Sequence, residues 1–181
     1  MSEMAPPSPF FVEQTARLSA AAKLGPVVDL ACGRGRHCIA AAEGGAQAIG
    51  VDRNQAFLAE LRAVARERGL HIDAIRADLE NPSEIPLKTG CCAAILVFCF
   101  LFRPLAPRIE EALLPGGLLL FETFTVRQRE FATGPRNPAY LLAEGELPEL
   151  FPGLEVLAFW EGVTEGPSPA ALARLAARKP V

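Results

Sequence analysis

The chain has 181 residues, a formal net charge of −3 and a hydrophobic fraction of 50%. This length fits one domain (1–181) with a substantial core, and no apolar run reaches the ~18 residues that a membrane span requires. The scattered positive charges predict no nucleic-acid partner, and the absence of a secretory signal makes a cytoplasmic location the default expectation.

In the amino-terminal region, the first helix is predicted to begin at residue 10, after a proline-rich stretch. The proline-rich stretch 1–9 is predicted to be disordered or extended. From Phe10 to Leu24, apolar residues recur at helical spacing, and Gly25-Pro26 follows as a stop signal. The sequence therefore predicts one helix over 10–24.

Residues 27–37, with the sequence VVDLACGRGRH, have the pattern of a buried strand that ends in a glycine turn and opens into a helix. Gly33 and Gly35 let the backbone turn tightly and approach a ligand closely. The helix that begins near Arg36 directs its free N–H groups and positive dipole end at the turn. The next strand ends in Asp52, which suits the hydroxyls of a ribose, so the pattern predicts a nucleoside site that also includes Asp29.

Two kinds of nucleoside cofactor use such a turn. A dinucleotide fingerprint has the form G-x-G-x-x-G/A, but here Cys38 stands at the third glycine position. Asp29, four residues before Gly33, would repel a pyrophosphate and suits an ammonium group instead. An oxidoreductase with an NAD-type cofactor is therefore disfavoured, although it stays open as an alternative.

The motif DLACGRGRH, followed by Gly50-Val51-Asp52, resembles the first motifs of class I S-adenosylmethionine-dependent methyltransferases. The resemblance continues through Ala77-Asp78-Leu79, at the end of a third predicted strand (72–79), and through Pro115-Gly116-Gly117 before a fifth. It is best over residues 25–122. It implies an α/β fold with a doubly wound, mostly parallel, seven-stranded Rossmann-like sheet and a carboxyl-terminal antiparallel hairpin.

The resemblance also implies the cofactor S-adenosyl-L-methionine, which is released as S-adenosyl-L-homocysteine, and a role for each matching residue. Asp29 and the glycine turn hold the methionine part, Asp52 holds the ribose, and Asp78 contacts the adenine amine while Leu79 packs on the ring. His37 is interpreted as a helix-start residue near the cofactor carboxylate rather than a general base. The complete predicted cofactor-binding set is Asp29, Ala31, Gly33, Gly35, Arg36, His37, Asp52, Arg53, Asp78, Leu79 and Phe98.

The remaining elements alternate between strands and helices, which favours a parallel sheet. Residues 170–179 are equally compatible with a helix and with the last strand. The predicted helices are His37–Glu43, Asn54–Arg68, Leu105–Leu114 and Glu144–Phe151, and the later strands are Cys91–Phe102, Leu118–Phe124, Leu154–Thr164 and Leu172–Lys179.

Residues 123–150 are predicted to form an insertion over the substrate side, because ligands of open α/β sheets bind beyond the carboxyl ends of the strands. The segment looks like those of small bacterial methyltransferases of unassigned substrate, some named for similarity to tellurite-resistance methyltransferases. Glu122 and Tyr140 are the candidate catalytic residues. Three arginines in this segment are interpreted either as ligands of an anionic acceptor or as ordinary solvated charges: Arg127, Arg129 and Arg136.

The predicted reaction is methyl transfer to a small-molecule acceptor by direct in-line displacement, which needs no conspicuous catalytic pair. A non-catalytic module that binds S-adenosylmethionine is the other alternative. No metal site is predicted, because the five cysteines and two histidines lack metal-ligand spacing. The cysteines are interpreted as small, reduced, buried residues, with thiol-dependent capture of a metalloid oxyanion left open.

Overall fold

The computed structural model describes residues 4–166 and 168–181 and contains a seven-stranded sheet. The strand order is β3-β2-β1-β4-β5-β7-β6. The first five strands are parallel, and β7 runs antiparallel between β5 and β6. The predicted fold class is therefore confirmed. In chain order, the strands are Val27–Leu30 (β1), Ala48–Asp52 (β2), Ile72–Arg76 (β3), Cys92–Phe98 (β4), Leu113–Phe124 (β5), Glu155–Val163 (β6) and Ala171–Arg178 (β7).

Two central strands lie entirely in the core. All residues of β1 and β4 are buried, as expected for parallel strands whose two faces are both covered. β4 is shorter than the predicted strand 91–102, because Cys99 adopts a positive φ of 57° that ends the extended conformation. β3 is also shorter than predicted and ends at Arg76.

The helices that connect the parallel strands begin and end close to the predicted positions. Asn54 caps α4, since its side chain accepts hydrogen bonds from the N–H groups of Ala56 and Phe57. The helices are Pro9–Glu13 (α1), Thr15–Ala21 (α2), Arg36–Glu43 (α3), Gln55–Glu67 (α4), Ala106–Ala112 (α5) and Glu146–Glu149 (α6). The helix predicted over 144–151 is thus reduced to four residues. Among the described residues, no helix has the length and apolar character that crossing a membrane requires.

The amino-terminal prediction is wrong in two respects. Residues 10–24 form two helices and a short 3₁₀ turn, and the first break falls at Gln14, whose ψ of 5° is not helical. Ser8 and Pro9 are ordered: Ser8 is buried and caps α1 by accepting a hydrogen bond from the N–H of Phe10. Residues 1–3 of the stretch predicted to be disordered lie outside the described residues.

The ambiguity over residues 170–179 is resolved in favour of the strand. Six of the eight residues of β7 are buried, and the strand bonds to β5 on one side and β6 on the other. The helix propensity of its alanines is overridden, because two neighbouring ladders satisfy its backbone groups and its small side chains fit the core on both faces.

The segment 123–150 leaves the carboxyl end of β5, and its two ends pack against the sheet. Thr125 pairs with Leu142 in an isolated bridge, and the buried Gln128 accepts a hydrogen bond from the N–H of Ala171 at 2.7 Å. The residues between, including Arg136, are largely exposed. That this segment covers a substrate stays a prediction.

Candidate active site

Three cavities open at the carboxyl edge of the parallel strands and meet at Cys99, which lines all three. The Asp52 cavity has a volume of about 350 Å³. The Asp29 cavity has a volume of about 510 Å³ and shares Ala31 with it. The Glu122 cavity, of about 680 Å³, shares Arg36 with the Asp29 cavity. We refer to these three adjoining cavities together as the cleft and to each of them as a branch.

The glycine turn between β1 and α3 forms part of the wall of the Asp29 cavity. Gly33 has a φ of 56°, and a Cβ built on it meets no atom within 4 Å, so its backbone is open to the cavity. Gly35 has a φ of 84°, and a Cβ there would overlap the side chain of Leu61. Gly35 lines none of the three cavities, so it shapes the turn from behind.

Asp52 fastens this turn to the end of β2. One carboxylate oxygen, Oδ2, accepts a hydrogen bond from the N–H of Gly33 at 2.8 Å, and the other, Oδ1, accepts one from the N–H of Asn54 at 2.8 Å. Each oxygen keeps a further lone pair for a ligand. The half-buried carboxylate therefore has both an observed structural role and spare capacity to accept hydroxyl donors.

Asp29 lies at the bottom of the Asp29 cavity and is buried. Its Oδ2 accepts a hydrogen bond from the N–H of Cys38 at 3.2 Å. Burial raises the pKa of Asp29 to about 7, and the bond from Cys38 and the charge of Arg36 oppose that rise. A cationic ligand group in this cavity would stabilise the ionised carboxylate.

His37 is held as a neutral ring by its neighbours. Its Nε2 accepts a hydrogen bond from the N–H of Ser8 at 3.0 Å, and its ring stacks on Phe98 at 3.8 Å between centroids. Burial lowers the pKa of His37 to about 3. Because Nε2 is already engaged, the proton of the neutral ring is on Nδ1. His37 therefore ties Ser8 to the cavity wall.

The other predicted cofactor residues line the Asp52 cavity. Leu79 is buried there, and Asp78 accepts a hydrogen bond from the N–H of Glu80 through Oδ1 at 3.0 Å. Arg53 forms an ion pair with Glu80 at 3.6 Å. Apart from Gly35, every member of the predicted cofactor set thus lies in one of two adjoining cavities.

The two candidate catalytic residues lie in different branches. Glu122 is buried in the Glu122 cavity, where its Oε2 accepts a hydrogen bond from Nε of Arg174 at 2.7 Å. Tyr140 is 43% exposed and lines the Asp52 cavity. The structure does not bring them together as a catalytic pair.

The three arginines of the 123–150 segment line none of these cavities. Arg127 pairs with Glu130 at 3.3 Å, and Arg136 donates to the carbonyl of Phe131 at 3.1 Å. Arg129 is exposed. Their surroundings favour the interpretation as solvated charges.

The cysteine prediction holds for Cys32, Cys38 and Cys92, which are buried and whose thiol pKa values are raised by burial. Cys91 is half-buried. The prediction is wrong for Cys99, which is exposed. Its backbone N–H donates to the carbonyl of Glu122 at 2.8 Å and, with the positive φ, turns the chain out of the sheet.

Cys99 and Arg174 are among the residues of the cleft that sequence reasoning missed. The available signal for Arg174 was a single cation inside the otherwise apolar run ALARLAA. Such an isolated charge in a buried strand requires a partner. That the partner is Glu122 follows from the register of β5 against β7, in which these two residues are opposite each other.

A family model described as a methyltransferase domain matches residues 27–117, half of the chain. The matched region runs from the start of β1 through the glycine turn, Asp52, Asp78 and Cys99 to the start of β5.

Two curated relatives match part of the chain. One is a tRNA U34 carboxymethyltransferase from Cellvibrio japonicus, 27% identical over 58% of this chain and 34% of its own length. The other is a ribosomal protein L11 methyltransferase from Thermus thermophilus, 34% identical over 52% of this chain and 36% of its own length. The chain thus spans about a third of the length of these relatives.

The fold also resembles the crystal structure of an S-adenosylmethionine-dependent methyltransferase from Mesorhizobium loti. The TM-score is 0.70 at 20% identity, and the match covers 92% of this chain and 97% of that one. At this identity, the likeness supports the fold.

Proposed function

The chain belongs to the methyltransferase domain family, and on that premise we propose that it transfers a methyl group from S-adenosylmethionine to a small-molecule acceptor by direct in-line displacement. The family assignment confirms the resemblance seen in the sequence. The observation that carries the proposal is the meeting of three cavities at Cys99. The predicted cofactor residues line the Asp52 and Asp29 cavities. The Glu122 cavity also reaches Cys99, and it shares Arg36 with the Asp29 cavity.

The residues present fit this cofactor. Asp29 offers a buried carboxylate to an ammonium group, and Asp52 offers free lone pairs to ribose hydroxyls. The exposed backbone of Gly33 allows close approach. Asp78 and Leu79 border the Asp52 cavity, where an adenine would lie. When bound, S-adenosylmethionine supplies an electrophilic methyl group whose neutral thioether leaving group needs no acid.

The role of the protein is then to hold donor and acceptor in line, and positioning of this kind supplies several kcal/mol. The Glu122 cavity is the proposed entrance for the acceptor, with Cys99 at its inner end. We assign Glu122 to orienting Arg174, because its carboxylate is already bonded to that guanidinium. Tyr140 borders the cofactor side and is proposed to close over it.

A small-molecule acceptor is favoured over a nucleic acid by charge. The net charge is −3, and nucleic-acid binding draws most of its affinity from basic residues that neutralise phosphates. The two curated relatives act on tRNA and on a ribosomal protein, and the chain spans only about a third of the length of each.

The proposal is tested by isothermal titration with S-adenosylhomocysteine and, in parallel, with NADH. We expect the first to bind and the second not to bind. Binding of NADH alone would make the protein an oxidoreductase and overturn the proposal. Turnover is then measured as release of S-adenosylhomocysteine over a panel of acceptors. Binding without turnover on any of them would favour the non-catalytic module.

A further inference from the structure

Arg174 enters the Glu122 cavity from β7 and is held by two neighbours. Its Nε donates to Oε2 of Glu122 at 2.7 Å, and its guanidinium carbon lies 4.8 Å from the centroid of the Trp160 ring. Only 17% of its side chain is exposed. A planar group fixed by a hydrogen bond and by an aromatic face has lost most of its rotational freedom before any ligand arrives.

The guanidinium is only partly used by the protein. Within residues 4–166 and 168–181, its hydrogen bond comes from Nε, and neither Nη1 nor Nη2 bonds to a protein acceptor. These two nitrogens carry four N–H bonds in one plane. Such a fork matches the two oxygens of a carboxylate, and charge-assisted pairs of this kind are about twice as strong as neutral hydrogen bonds.

The surroundings favour a ligand with a single negative charge. Arg36 is the other cation that lines the cavity, while Glu122 offsets part of the charge of Arg174 and Glu165 is exposed. Val163 and Leu172 also line the cavity, and Leu172, two residues before Arg174, lies on the same face of β7 as Arg174. The lining therefore combines the Arg174 fork, a second cation in Arg36, which donates through Nη1 to the carbonyl of Pro6, and a surface for an apolar body.

We propose that the Glu122 cavity binds a methyl acceptor through a carboxylate group, which Arg174 holds with Nη1 and Nη2. The acceptor is a small monocarboxylic acid whose apolar part contacts Val163 and Leu172 and whose reacting atom points to Cys99. Glu122 and Trp160 act as positioning residues for Arg174. That the ligand is a methyl acceptor rests on the proposed function, whereas the binding of its carboxylate by Arg174 does not.

The test uses Trp160, which is the single tryptophan of the chain. Its fluorescence is recorded, with excitation of the indole alone, while protein saturated with S-adenosylhomocysteine is titrated with butanoate and separately with butanamide. The two probes have the same size and differ in charge. We expect a saturable change in the millimolar range with butanoate, as small fragments give, and none with butanamide.

Three variants identify the binding group. Arg174→Gln should weaken butanoate binding about tenfold or more, and Arg174→Lys should retain part of it, because the charge remains and the fork is lost. Arg178→Gln is the matched control, since Arg178 lies on the same strand in an exposed pair with Glu155, and it should bind butanoate normally. The Glu122→Gln/Arg174→Gln double variant, which removes both buried charges, replaces Arg174→Gln where circular dichroism shows unfolding.

The outcomes separate this inference from the proposed function. Equal responses to butanoate and butanamide, unchanged butanoate affinity in Arg174→Gln, or a response to inorganic phosphate alone would each overturn the carboxylate assignment. Failure of S-adenosylhomocysteine to bind wild-type protein would overturn the proposed function, and the butanoate titration would then be judged on protein without it. In turnover, acids should be methylated in preference to their amides, and the Arg174→Gln defect should appear mainly in KM.

Discussion

The carboxylate of Asp52 and the backbone N–H of Gly33 are joined by a hydrogen bond of 2.8 Å. This bond links the end of β2 to the glycine turn after β1, although 19 residues separate the two positions. The residue proposed to bind the ribose thus also holds the turn proposed to bind the methionine part, which would couple the two halves of the proposed cofactor site.

Replacing Asp52 is expected to weaken cofactor binding through both roles. Asp52→Asn keeps one acceptor oxygen, whereas Asp52→Ala keeps none and frees the turn. Each lost charge-assisted bond costs about 1.5–3 kcal/mol, so isothermal titration with S-adenosylhomocysteine should rank wild type above Asn and Asn above Ala. Asp73→Asn, on the exposed surface of β3, is the control and should bind normally. Unchanged affinity in Asp52→Ala would contradict the ribose assignment.

The glycine turn offers a paired comparison. In Gly33→Ala the new Cβ lies in open space, so the substitution lowers the unfolding free energy only through the left-handed backbone, by about 1–2 kcal/mol. Gly35→Ala adds an overlap with Leu61 and should cost about 2–4 kcal/mol of unfolding free energy. Urea denaturation should therefore find Gly35→Ala the less stable, while titration finds S-adenosylhomocysteine affinity reduced in Gly33→Ala. Equal losses of unfolding free energy in Gly33→Ala and Gly35→Ala would contradict the overlap expected between a Cβ at Gly35 and Leu61.

The raised pKa of Asp29 predicts that the affinity of the protein for the cofactor depends on pH. Its pKa is raised to about 7 by burial, so below that pH the folded protein holds it largely neutral. An ammonium ligand selects the ionised form, and affinity for S-adenosylhomocysteine should rise as the pH increases from about 6 to about 8. Asp29→Asn should bind more weakly with a flat profile over this range, and Asp73→Asn should keep the slope. A flat wild-type profile would argue against contact between Asp29 and the ammonium group.

The lowered pKa of His37 predicts that the stability contributed by this residue is lost in acid. Its folded pKa of about 3 lies below the ordinary value of 6.5, so the unfolded chain binds the proton first. The contribution of His37 to stability is complete above about pH 6.5 and is lost as the pH drops toward 3, by at most about 1.4 kcal/mol per pH unit. Asp29, whose folded pKa is raised to about 7, contributes in the opposite direction over part of this range, so the His37 contribution is measured as the difference between His37→Gln and wild type. His37→Gln keeps an acceptor for the N–H of Ser8 and should lose this dependence. His71→Gln, at an exposed position, should retain it in urea denaturation across the same pH range.

The Glu122–Arg174 pair should matter more to stability than an exposed pair on the same sheet. Glu122→Gln leaves a largely buried guanidinium without its counter-charge and should cost about 3 kcal/mol. Glu155→Gln, which breaks the exposed pair with Arg178, should cost less than about 1 kcal/mol. Affinity for S-adenosylhomocysteine should stay nearly unchanged in Glu122→Gln while turnover falls. A loss of cofactor affinity instead would place Glu122 on the donor side.

The sequence by itself determined the parallel sheet and the position of the glycine turn after β1. Local signals carry that information: the apolar run before Asp29, the glycines that permit positive φ, and Asn54 as a helix cap are all readable within a few residues. The sequence did not determine the boundary of β4, because the turn at Cys99 leaves no glycine to mark it.

Only the tertiary structure decided which residues line the cavity proposed for the acceptor. Residues 170–179 were ambiguous because alanine favours a helix, and the strand is selected by the ladders on both of its sides. The same pairing places Arg174 against Glu122, 52 positions earlier, and the packing of Ser8 on His37 orders residues expected to be disordered. These contacts join residues that are far apart along the chain, and they form only when the sheet is assembled.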